Sequence, residues 1–477
     1  MVSRTPTIFV QIASYRDPEC QWTVKDLFEK AQYPDQVTVG VCAQADPVAD
    51  KDCFIVPSPR PAQTKITLVP PQESRGVCWA RALTQQLFED QDYVLMIDSH
   101  MRFIQNWDTE LIAELARCAS PKAFLSTYPP GYKPPDKLDA DPKPVVMRAQ
   151  DFKDGEIRFE GEMLATTPET PLRGAFLAAG LLFAPGTLVR EIPYDPHIYF
   201  NQEEITLAAR AFTHGWDVYA PTKAFVYHYY NEPDKGEVRP LHWHDRQDWT
   251  QFQALSRARA DYLLTGNAPS DPAALDNIAS FGLGRVRSLQ DFEAFCGLDF
   301  RNKVSTERAR TSQFIDGLDR YRAPAVVESP APLLKVGECL APVALTDIYG
   351  AARTTAEFAG APCFLCILPA SFDGYIRDFM EKLQNSPAPS ARLVFIAPVP
   401  SEQAADYAAR NFLADDLLVD SGLQLVRLFG YQARIHDTPV TVALDASQVV
   451  RGVFDNRNAA NHFADLNRAA AALSQSS

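Results

Sequence analysis

The stretch Asp92-Tyr-Val-Leu-Met-Ile-Asp98-Ser99-His100 determines how the first part of this chain folds. Residues 93–97 form an uninterrupted apolar run whose length suits a buried strand, and the run ends abruptly in polar residues. Because side chains alternate along a strand, Asp98 and His100 are predicted to point the same way. Open α/β sheets bind ligands at the carboxyl ends of their strands. The triplet is therefore a candidate metal site.

A carboxylate beside an imidazole suits a divalent cation, because carboxylate oxygens favour hard cations and imidazole nitrogens favour borderline ones. The mixture favours Mn²⁺ over Mg²⁺. A strand-end turn with two unrelated polar residues would produce the same triplet, so the triplet alone does not decide between these interpretations.

The composition indicates an acidic, globular protein with more than one domain. The chain has 477 residues, of which 46% are hydrophobic, and is too long for one ordinary core. Lys and Arg total 46 against 60 Asp and Glu, and this net charge of −14 disfavours nucleic acid or an anionic membrane as a partner. We find no membrane-spanning run or signal peptide, and the nine cysteines show no paired framework. We therefore expect a cytoplasmic protein in a reducing setting.

Strands and helices are predicted to alternate up to His100. Apolar runs predict strands over residues 7–13, 37–42 and 66–69, and helical spacing predicts helices over residues 22–31 and 75–89, the latter capped by Ser74. This order is typical of an α/β nucleotide-binding unit. Neither G-x-G-x-x-G nor G-x-x-x-x-G-K occurs there, which disfavours NAD-dependent redox chemistry and P-loop phosphoryl transfer.

Arg75 and Arg81 lie in the first turns of the predicted helix, where a cation opposes the helix dipole. A bound diphosphate would reverse that effect and would also use the helix N-terminus. Surface ion pairs with Glu73, Asp90 or Asp92 would explain the two arginines equally well.

Further along the chain, two glutamates and two histidines are candidates for function. Glu203 and Glu204 begin a predicted helix that ends near residue 213, where acidic residues are often only dipole partners or caps. His228 lies within a predicted strand over residues 224–230, and a core imidazole there is more common than a metal ligand. His244 lies in a loop.

As a set, these blocks resemble the GT-A-fold glycosyltransferases, specifically the GlcNAc-transferase family that includes the Skp1 hydroxyproline GlcNAc-transferases. The resemblance covers about residues 5–300. The matching stretches are residues 12–20 (IASYRDPEC), 40–44 (GVCAQ), 76–81 (GVCWAR), 94–107 with the DSH triplet, 178–180 (AAG), 193–196 (PYDP), 203–217, 226–230 (VYHYY) and 282–288 (GLGRVRS).

The resemblance implies a nucleotide-sugar-binding mixed α/β sheet flanked by helices, with UDP-GlcNAc as donor and Mn²⁺ or Mg²⁺ as cofactor. Asp98 and His100 match the family's metal motif in its D-x-H form. His228 is the expected third ligand, and His244 is the alternative. The cation would bridge the two phosphates of the donor and act as a Lewis acid on the departing UDP.

The resemblance also implies which side chains surround the donor and the acceptor. The residues expected to bind the donor are Ser14, Arg16, Asp46, Arg75, Arg81 and Asp98. Glu203 and Glu204 are expected near the acceptor hydroxyl, where a carboxylate could orient the nucleophile or take its proton. The acceptor would be a protein or a glycan.

The domain boundaries are predicted at 1–300 for the glycosyltransferase domain, 301–332 for a linker, and 333–477 for a second domain. The second domain is similar to thioredoxin-fold, peroxiredoxin-like domains, with Thr438-Pro439 at the position of a cis-proline. Residues 369–375 lack the cysteine expected there, and Cys363 and Cys366 are predicted to face opposite sides of one strand. We expect a non-catalytic domain; the alternative function is a thiol redox or binding protein acting through it.

Overall fold

In a computed structural model, the described residues are 4–230, 239–322, 334–368, 392–399, 403–404, 408, 417–429, 431, 439–455 and 459–474. The chain forms two compact units, Met1–Ala323 and Pro324–Ser477. No helix within the described ranges is both long and apolar enough to cross a membrane.

The first unit continues beyond the domain end predicted at residue 300. Phe314, Ile315 and Leu318 are buried in its main core, so residues 301–322 pack as part of this unit and are not a linker. Residues 323–333, where the rest of the predicted linker falls, lie outside the described residues.

The first unit contains sixteen strands among its described residues. They are β1 (Ile8–Tyr15), β2 (Val37–Gln44), β3 (Thr64–Val69), β4 (Tyr93–Asp98), β5 (Met101–Phe103), β6 (Ala123–Ser126), β7 (Tyr132–Lys133), β8 (Lys137–Leu138), β9 (Val145–Lys153), β10 (Glu156–Met163), β11 (Leu172–Arg173), β12 (Leu181–Pro185), β13 (Asp217–Ala220), β14 (Val226–His228), β15 (Leu298–Asp299) and β16 (Val304–Ser305).

Its α-helices flank these strands. They are α1 (Glu19–Lys30), α2 (Val77–Gln85), α3 (Trp107–Leu115), α4 (Thr187–Glu191), α5 (Glu203–Thr213), α6 (His242–Asp245), α7 (Trp249–Thr265), α8 (Leu289–Cys296) and α9 (Glu307–Arg310).

Eight strands form one mixed sheet in the order β11-β13-β6-β12-β4-β1-β2-β3. β4 is central, with β1 parallel on one side and β12 antiparallel on the other. Val94 and Met96 of β4 pack in one hydrophobic core while Leu95 and Ile97 pack in another, because alternate side chains leave opposite faces of the sheet. Burial on both faces explains the uninterrupted apolar run of this strand.

A short pair of strands lies beyond the end of β4. β14 pairs with β5 in antiparallel fashion, with His228 opposite Met101, and the Tyr229 N–H donates to the His100 carbonyl at 3.0 Å. This pairing brings a distant part of the chain beside the Asp98-Ser99-His100 turn.

Helix α2 is shorter than the helix predicted over residues 75–89, and Ser74 is not its cap. The Ser74 hydroxyl donates instead to the Gln44 side chain at 2.5 Å. Gly76 precedes the helix at φ 104°, a conformation that favours glycine, and a Cβ there would lie 2.6 Å from Tyr199.

The second unit is built on one sheet. Its described strands and α-helices are β17 (Ala344–Asp347), β18 (Ala352–Thr354), β19 (Cys363–Ile367), β20 (Arg392–Ala397), β21 (Leu417–Val419), α10 (Gln424–Leu428), β22 (Val440–Leu444), β23 (Val450–Asp455) and α11 (Ala459–Ser474). The strand order is β18-β17-β21-β20-β19-β22-β23, with β19 parallel to β20 and antiparallel to β22.

The predicted α/β fold class is confirmed: the first unit has a large mixed sheet flanked by helices, and the second is a smaller α/β unit. Helical spacing also predicts helices over residues 372–384 and 402–411. The first of these, most of the second, the loop 369–375 and Thr438 lie outside the described residues.

Cys363 and Cys366 lie on opposite faces of β19. Cys363 packs in one core of the second unit, and Cys366 packs in the other. Burial raises the pKa of the Cys363 thiol to about 11 and that of Cys366 to about 12. All nine cysteines, each within the described residues, are free. These two thiols are therefore neutral at neutral pH and poorly placed for redox exchange.

We expect Cys363 and Cys366 to stay reduced when the folded protein meets a mild oxidant, because both thiols are buried and face apart. Differential alkylation followed by mass spectrometry measures this, with the exposed Cys339 as the residue that should react. A Cys363–Cys366 disulfide in the folded protein would contradict the expectation and support a redox function.

Candidate active site

Asp98 ends the central strand, and its two carboxylate oxygens have different partners. Oδ1 accepts a hydrogen bond from Arg81 Nη2 at 2.8 Å, and Oδ2 lies 3.2 Å from His228 Nε2. Burial alone would raise the pKa of Asp98, but these two contacts hold it well below its usual value. Asp98 is therefore a carboxylate with one oxygen held by an arginine and the other turned towards the histidine.

His100 follows Asp98 in the turn after the strand, and it contacts two groups. Its Nδ1 lies 2.6 Å from Asp17 Oδ2, and its Nε2 lies 3.0 Å from His228 Nε2. Burial alone would raise the pKa of Asp17, but its hydrogen bond with His100 contributes to lowering it to about 2. His100 thus has a carboxylate behind it and presents its other nitrogen to His228.

Asp98, His100 and His228 meet at one point. Each offers one ligand atom, and these three atoms all lie within 4.8 Å of one another. Burial lowers the pKa of His228, and so does its proximity to His100, against the opposing effect of Asp98. His228 is therefore a neutral imidazole, which is the form that binds metals.

The chemistry of these donors fits a divalent cation. A carboxylate oxygen and two imidazole nitrogens converge, while the second oxygen of Asp98 and the second nitrogen of His100 are held by other side chains. Metal-binding histidines usually donate their other N–H to a carboxylate or carbonyl, as His100 can to Asp17. Three protein ligands would leave coordination positions open for a substrate.

His244, the alternative third ligand, lies elsewhere. It is exposed in α6 and is not part of this cluster, whereas the neighbouring His242 is buried and hydrogen-bonded to Tyr199 at 2.7 Å. The geometry favours His228.

Arg81 does not face an open diphosphate site as predicted. Its side chain is 3% exposed, its Nη1 donates to the Ala179 carbonyl at 2.6 Å, and its Nε lies 3.1 Å from Glu203. Arg81 is a buried cation between two carboxylates, and its terminal nitrogens are already engaged. Its position in the sequence, near a helix start, did not reveal this.

Arg75 is also placed differently from the prediction. It is exposed, stacks over Trp79 at 6.0 Å, and lines a cavity with Trp79 and His197 that does not contain Asp98. The helix begins only at Val77, so Arg75 lies before its first turn.

Two cavities meet at Asp98. The first, about 260 Å³ and here called the His100 cavity, is lined by residues that include Tyr15, Asp17, Gln44, Gly76, His100, Arg239 and Trp243. The second, about 440 Å³ and here called the Glu204 cavity, is lined by residues that include Arg81, Tyr128, Gly180, Glu203, Glu204, His228 and Tyr230. Val77, Asp98 and Phe200 line both cavities, so the metal cluster lies between them.

Ser14 and Arg16, which were predicted to bind the donor at the end of β1, do not line the His100 cavity. Ala13 and Tyr15 of β1 line it, while Ser14 lies between them on the other face of the strand. Arg16 instead pairs with Asp50 at 3.0 Å and Asp245 at 2.6 Å.

Asp46 is likewise a structural residue. Its carboxylate accepts the N–H groups of Val48 and Ala49 at 2.8 and 2.9 Å, and it does not line the His100 cavity. These hydrogen bonds lower the pKa of Asp46 and stabilise the turn after β2.

Glu203 and Glu204 have different environments although they are adjacent. Glu203 is buried against Arg81 and accepts the Tyr194 hydroxyl at 2.6 Å. Glu204 accepts the Ala179 N–H at 2.9 Å and the Tyr128 hydroxyl at 3.1 Å.

The pKa values of this glutamate pair are both raised. Burial raises the pKa of Glu203 despite the opposing charge of Arg81. Burial also raises the pKa of Glu204 to about 7, although the Ala179 N–H lowers it. A carboxyl group that titrates near pH 7 can exchange a proton at neutral pH.

Arg239 and Asp17 are the main site residues that the sequence interpretation missed. Arg239 lines the His100 cavity, and its Nη1 is buried without a hydrogen-bond partner among the described residues. No sequence motif around Arg239 indicated that it belongs to the site. Asp17 falls within the matched block at residues 12–20, which was a usable signal, but it lies beyond the end of β1.

Gly180 leaves room beside Asp98. A Cβ on Gly180 would lie 3.1 Å from Asp98 Oδ2, the oxygen that faces His228. The small residues at 178–180 therefore permit close approach at the cluster.

Comparisons with known proteins identify one matching family and several similar structures. A family model described as Glycosyltransferase (GlcNAc) matches residues 7–64 and 57–302. No curated protein matches the chain. A crystal structure of GalNAc-T7 with UDP, GalNAc and Mn²⁺ is similar at 15% identity and a TM-score of 0.42, over 61% of this chain. The similar part spans only 56% of that relative's own chain.

Two other structures are similar to part of the chain. They are a thiol peroxidase from Chromobacterium violaceum (18% identity, TM-score 0.25, 31% of this chain and 90% of that one) and peroxidoxin BcpB from Mycobacterium tuberculosis (18% identity, TM-score 0.25, 29% and 98%).

Because the family model spans residues 7–302, more than half of the 477 residues, the chain belongs to the Glycosyltransferase (GlcNAc) family.

Proposed function

We propose that this protein transfers N-acetylglucosamine from UDP-GlcNAc to a hydroxyl group of a polypeptide or glycan, and that transfer requires Mn²⁺ or Mg²⁺. The observation that carries the proposal is the convergence of Asp98, His100 and His228 between two cavities. These residues lie within the part of the chain that matches the family model. Two cavities that meet at a cation site suit a donor on one side and an acceptor on the other.

In this proposal the His100 cavity holds the nucleotide. Tyr15 and Trp243 offer aromatic surface to the base there. Arg239 supplies the positive charge for the diphosphate that the sequence analysis assigns to Arg75 and Arg81, because its Nη1 is buried and unpaired among the described residues. When bound, the cation would supply Lewis-acid stabilisation of the departing UDP.

The Glu204 cavity holds the acceptor in this proposal. The acceptor oxygen forms a bond to C1 of the sugar, the bond from C1 to the phosphate oxygen breaks, and UDP leaves with that electron pair. The hydroxyl proton passes to the Glu204 carboxylate, which Tyr128 and the Ala179 N–H orient. Glu203 acts differently, because its contacts with Arg81 and Tyr194 hold it in place as a structural anion.

The catalytic unit in this proposal is the first unit, and the second has a non-catalytic role such as recruiting the acceptor. Both cavities are lined by residues of the first unit alone. The buried and separated Cys363 and Cys366 give no support to a redox activity of the second unit.

The His228→Ala variant should lose Mn²⁺ affinity by at least about 10–100-fold, because even removing a residue behind a metal ligand typically costs that much. Asp98→Asn preserves shape but removes the charge that offsets the cation, so transfer should stop. Calorimetric titration with Mn²⁺ measures the affinities. His244→Ala is the control, since His244 is exposed and outside the cluster. Loss of Mn²⁺ in the control, with binding kept in His228→Ala, would assign the third ligand to His244.

The Arg239→Ala variant should weaken UDP binding at saturating Mn²⁺ by about 10–150-fold, the range for a hydrogen bond to a charged group. Arg75→Ala is the matched control and should change it by no more than about twofold, as exposed residues usually do. Calorimetry with UDP measures both. The reverse order of effects would restore Arg75 as the diphosphate ligand.

The Glu204→Gln variant should lower kcat by about 10²–10⁴-fold, the usual contribution of a general base. Because the pKa of Glu204 is about 7, kcat of the parent enzyme should rise with pH and level off above pH 7. Initial rates of UDP release with acceptor present, measured from pH 5 to 9, test both statements. Parent-like rates and an unchanged pH profile in the variant would contradict this role.

Glu203→Gln is the comparison for that experiment. It should mainly lower the melting temperature, since removing one partner of a buried ion pair typically costs about 3–5 kcal/mol.

The titration of Glu204 should also affect how the stability of the protein depends on pH. Because folding raises the pKa of Glu204, its protonated carboxyl group contributes to the free energy of unfolding below about pH 4.5, and this contribution is lost as the pH rises through 7.

A further inference from the structure

We propose that Asp17 is a positioning residue that determines which nitrogen of His100 is presented to the cation. Its carboxylate holds the proton of His100 on Nδ1, so that Nε2 keeps a lone pair directed at the Asp98 and His228 cluster. The inference rests on the metal site within the proposed function, and it concerns a residue outside the three ligands.

Both oxygens of Asp17 are engaged. Oδ2 lies 2.6 Å from the Ser99 hydroxyl and 2.6 Å from His100 Nδ1. Oδ1 accepts the backbone N–H of Glu19 in the first turn of α1 at 3.0 Å. With Asp17 only 4% exposed, the carboxylate has little freedom to turn away from His100.

These contacts specify the tautomer of His100. A carboxylate only accepts hydrogen bonds, and a neutral imidazole carries one N–H. The Ser99 hydroxyl donates to Asp17, so Nδ1 of His100 has to supply the second hydrogen. The opposite tautomer would place a nitrogen lone pair 2.6 Å from a carboxylate oxygen, which is repulsive.

His228 has no equivalent support. Its Nδ1 is buried and has no hydrogen-bond partner among the described residues. Of the two histidines, only His100 is therefore pre-set for metal binding by a second residue. The affinity of the site for a cation should therefore depend on Asp17, although Asp17 is not itself a ligand.

The backbone before Asp17 explains why this carboxylate reaches His100. Arg16 adopts a left-handed conformation with φ 47°, which turns the chain sharply after β1. The Arg16 N–H donates to the Gln44 carbonyl at 3.0 Å, and its side chain is held by Asp50 and Asp245. The turn directs Asp17 towards the end of β4.

Asp17→Asn tests the proposal, because the amide has the same size but lacks the charge and can present a donor to Nδ1. We expect the Kd for Mn²⁺ to rise by about 10–100-fold. Calorimetry with Mn²⁺ alone provides a readout that does not depend on activity.

Asp108→Asn is the matched control. Asp108 is 3% exposed and accepts two backbone N–H groups, from Gln32 and Tyr33, each at 2.8 Å. It lines neither cavity at Asp98, so its loss should leave Mn²⁺ affinity unchanged. Parent-like Mn²⁺ binding in Asp17→Asn, or equal weakening in both variants, would overturn the proposal.

If Asp17→Asn does not fold, a second measurement on the parent protein tests the proposal. Nitrogen-15 spectra of the metal-free parent protein, with His100 assigned by substitution, report its tautomer. A proton on Nδ1 supports the proposal, and a proton on Nε2 overturns it.

Should the parent bind Mn²⁺ in an Asp17-dependent way but not turn over UDP-GlcNAc, the proposed function fails and the role of Asp17 stands. Should the parent bind no divalent cation, the role of Asp17 falls with the metal site.

Discussion

The buried guanidinium of Arg81 is the interaction on which the rest of the site depends. It lies between Asp98, whose Oδ1 it holds at 2.8 Å, and Glu203, which is 3.1 Å away. The buried carboxylate of Glu203 would be costly without a cation beside it. Arg81 also directs Asp98, because the oxygen it does not bind faces His228. One buried charge thus stabilises the core and orients a candidate metal ligand.

The same arrangement separates the roles of two adjacent glutamates. A helix start places Glu203 and Glu204 about 100° apart around the axis, so they meet different surroundings. Glu203 reaches Arg81 and Tyr194 inside the unit, whereas Glu204 lines a cavity with Tyr128 and Tyr230. No cation forms an ion pair with Glu204 within the described part of the chain, and burial is the main influence on its pKa, which rises to about 7. Adjacent residues of the same type therefore differ in chemistry because of what packs around each.

The second unit, like the first, is built on a sheet with a buried interior strand. Its central strand β19 is buried on both faces, like β4, and therefore also reads as an uninterrupted apolar run. β4 ends in a carboxylate and a turn that meet other polar residues, whereas the cysteines of β19 lie within the strand. Buried thiols on opposite faces contribute to packing as small apolar groups.

The amino-acid sequence alone determined the central strand, the order of helices and strands around it, the second α/β unit, and the candidate ligands Asp98, His100 and His228. Each of these depends on local patterns: apolar runs, helical spacing, and a block of motifs. The ends of elements were less predictable, as with α2, because Ser74 bonds to the distant Gln44 and does not cap the helix.

Only the tertiary structure showed how distant side chains share the site. Alternation along β1 places Tyr15 in the His100 cavity and turns Ser14 away, and the late start of α2 leaves Arg75 outside. The partners of Arg81, and the contact of Asp17 with His100, join residues far apart in the chain. Pairing of β14 with β5 brings His228 to the cluster, and no local pattern encodes such a long-range contact. Residue type and spacing specify which groups can do the chemistry, but packing and strand register decide which of them meet.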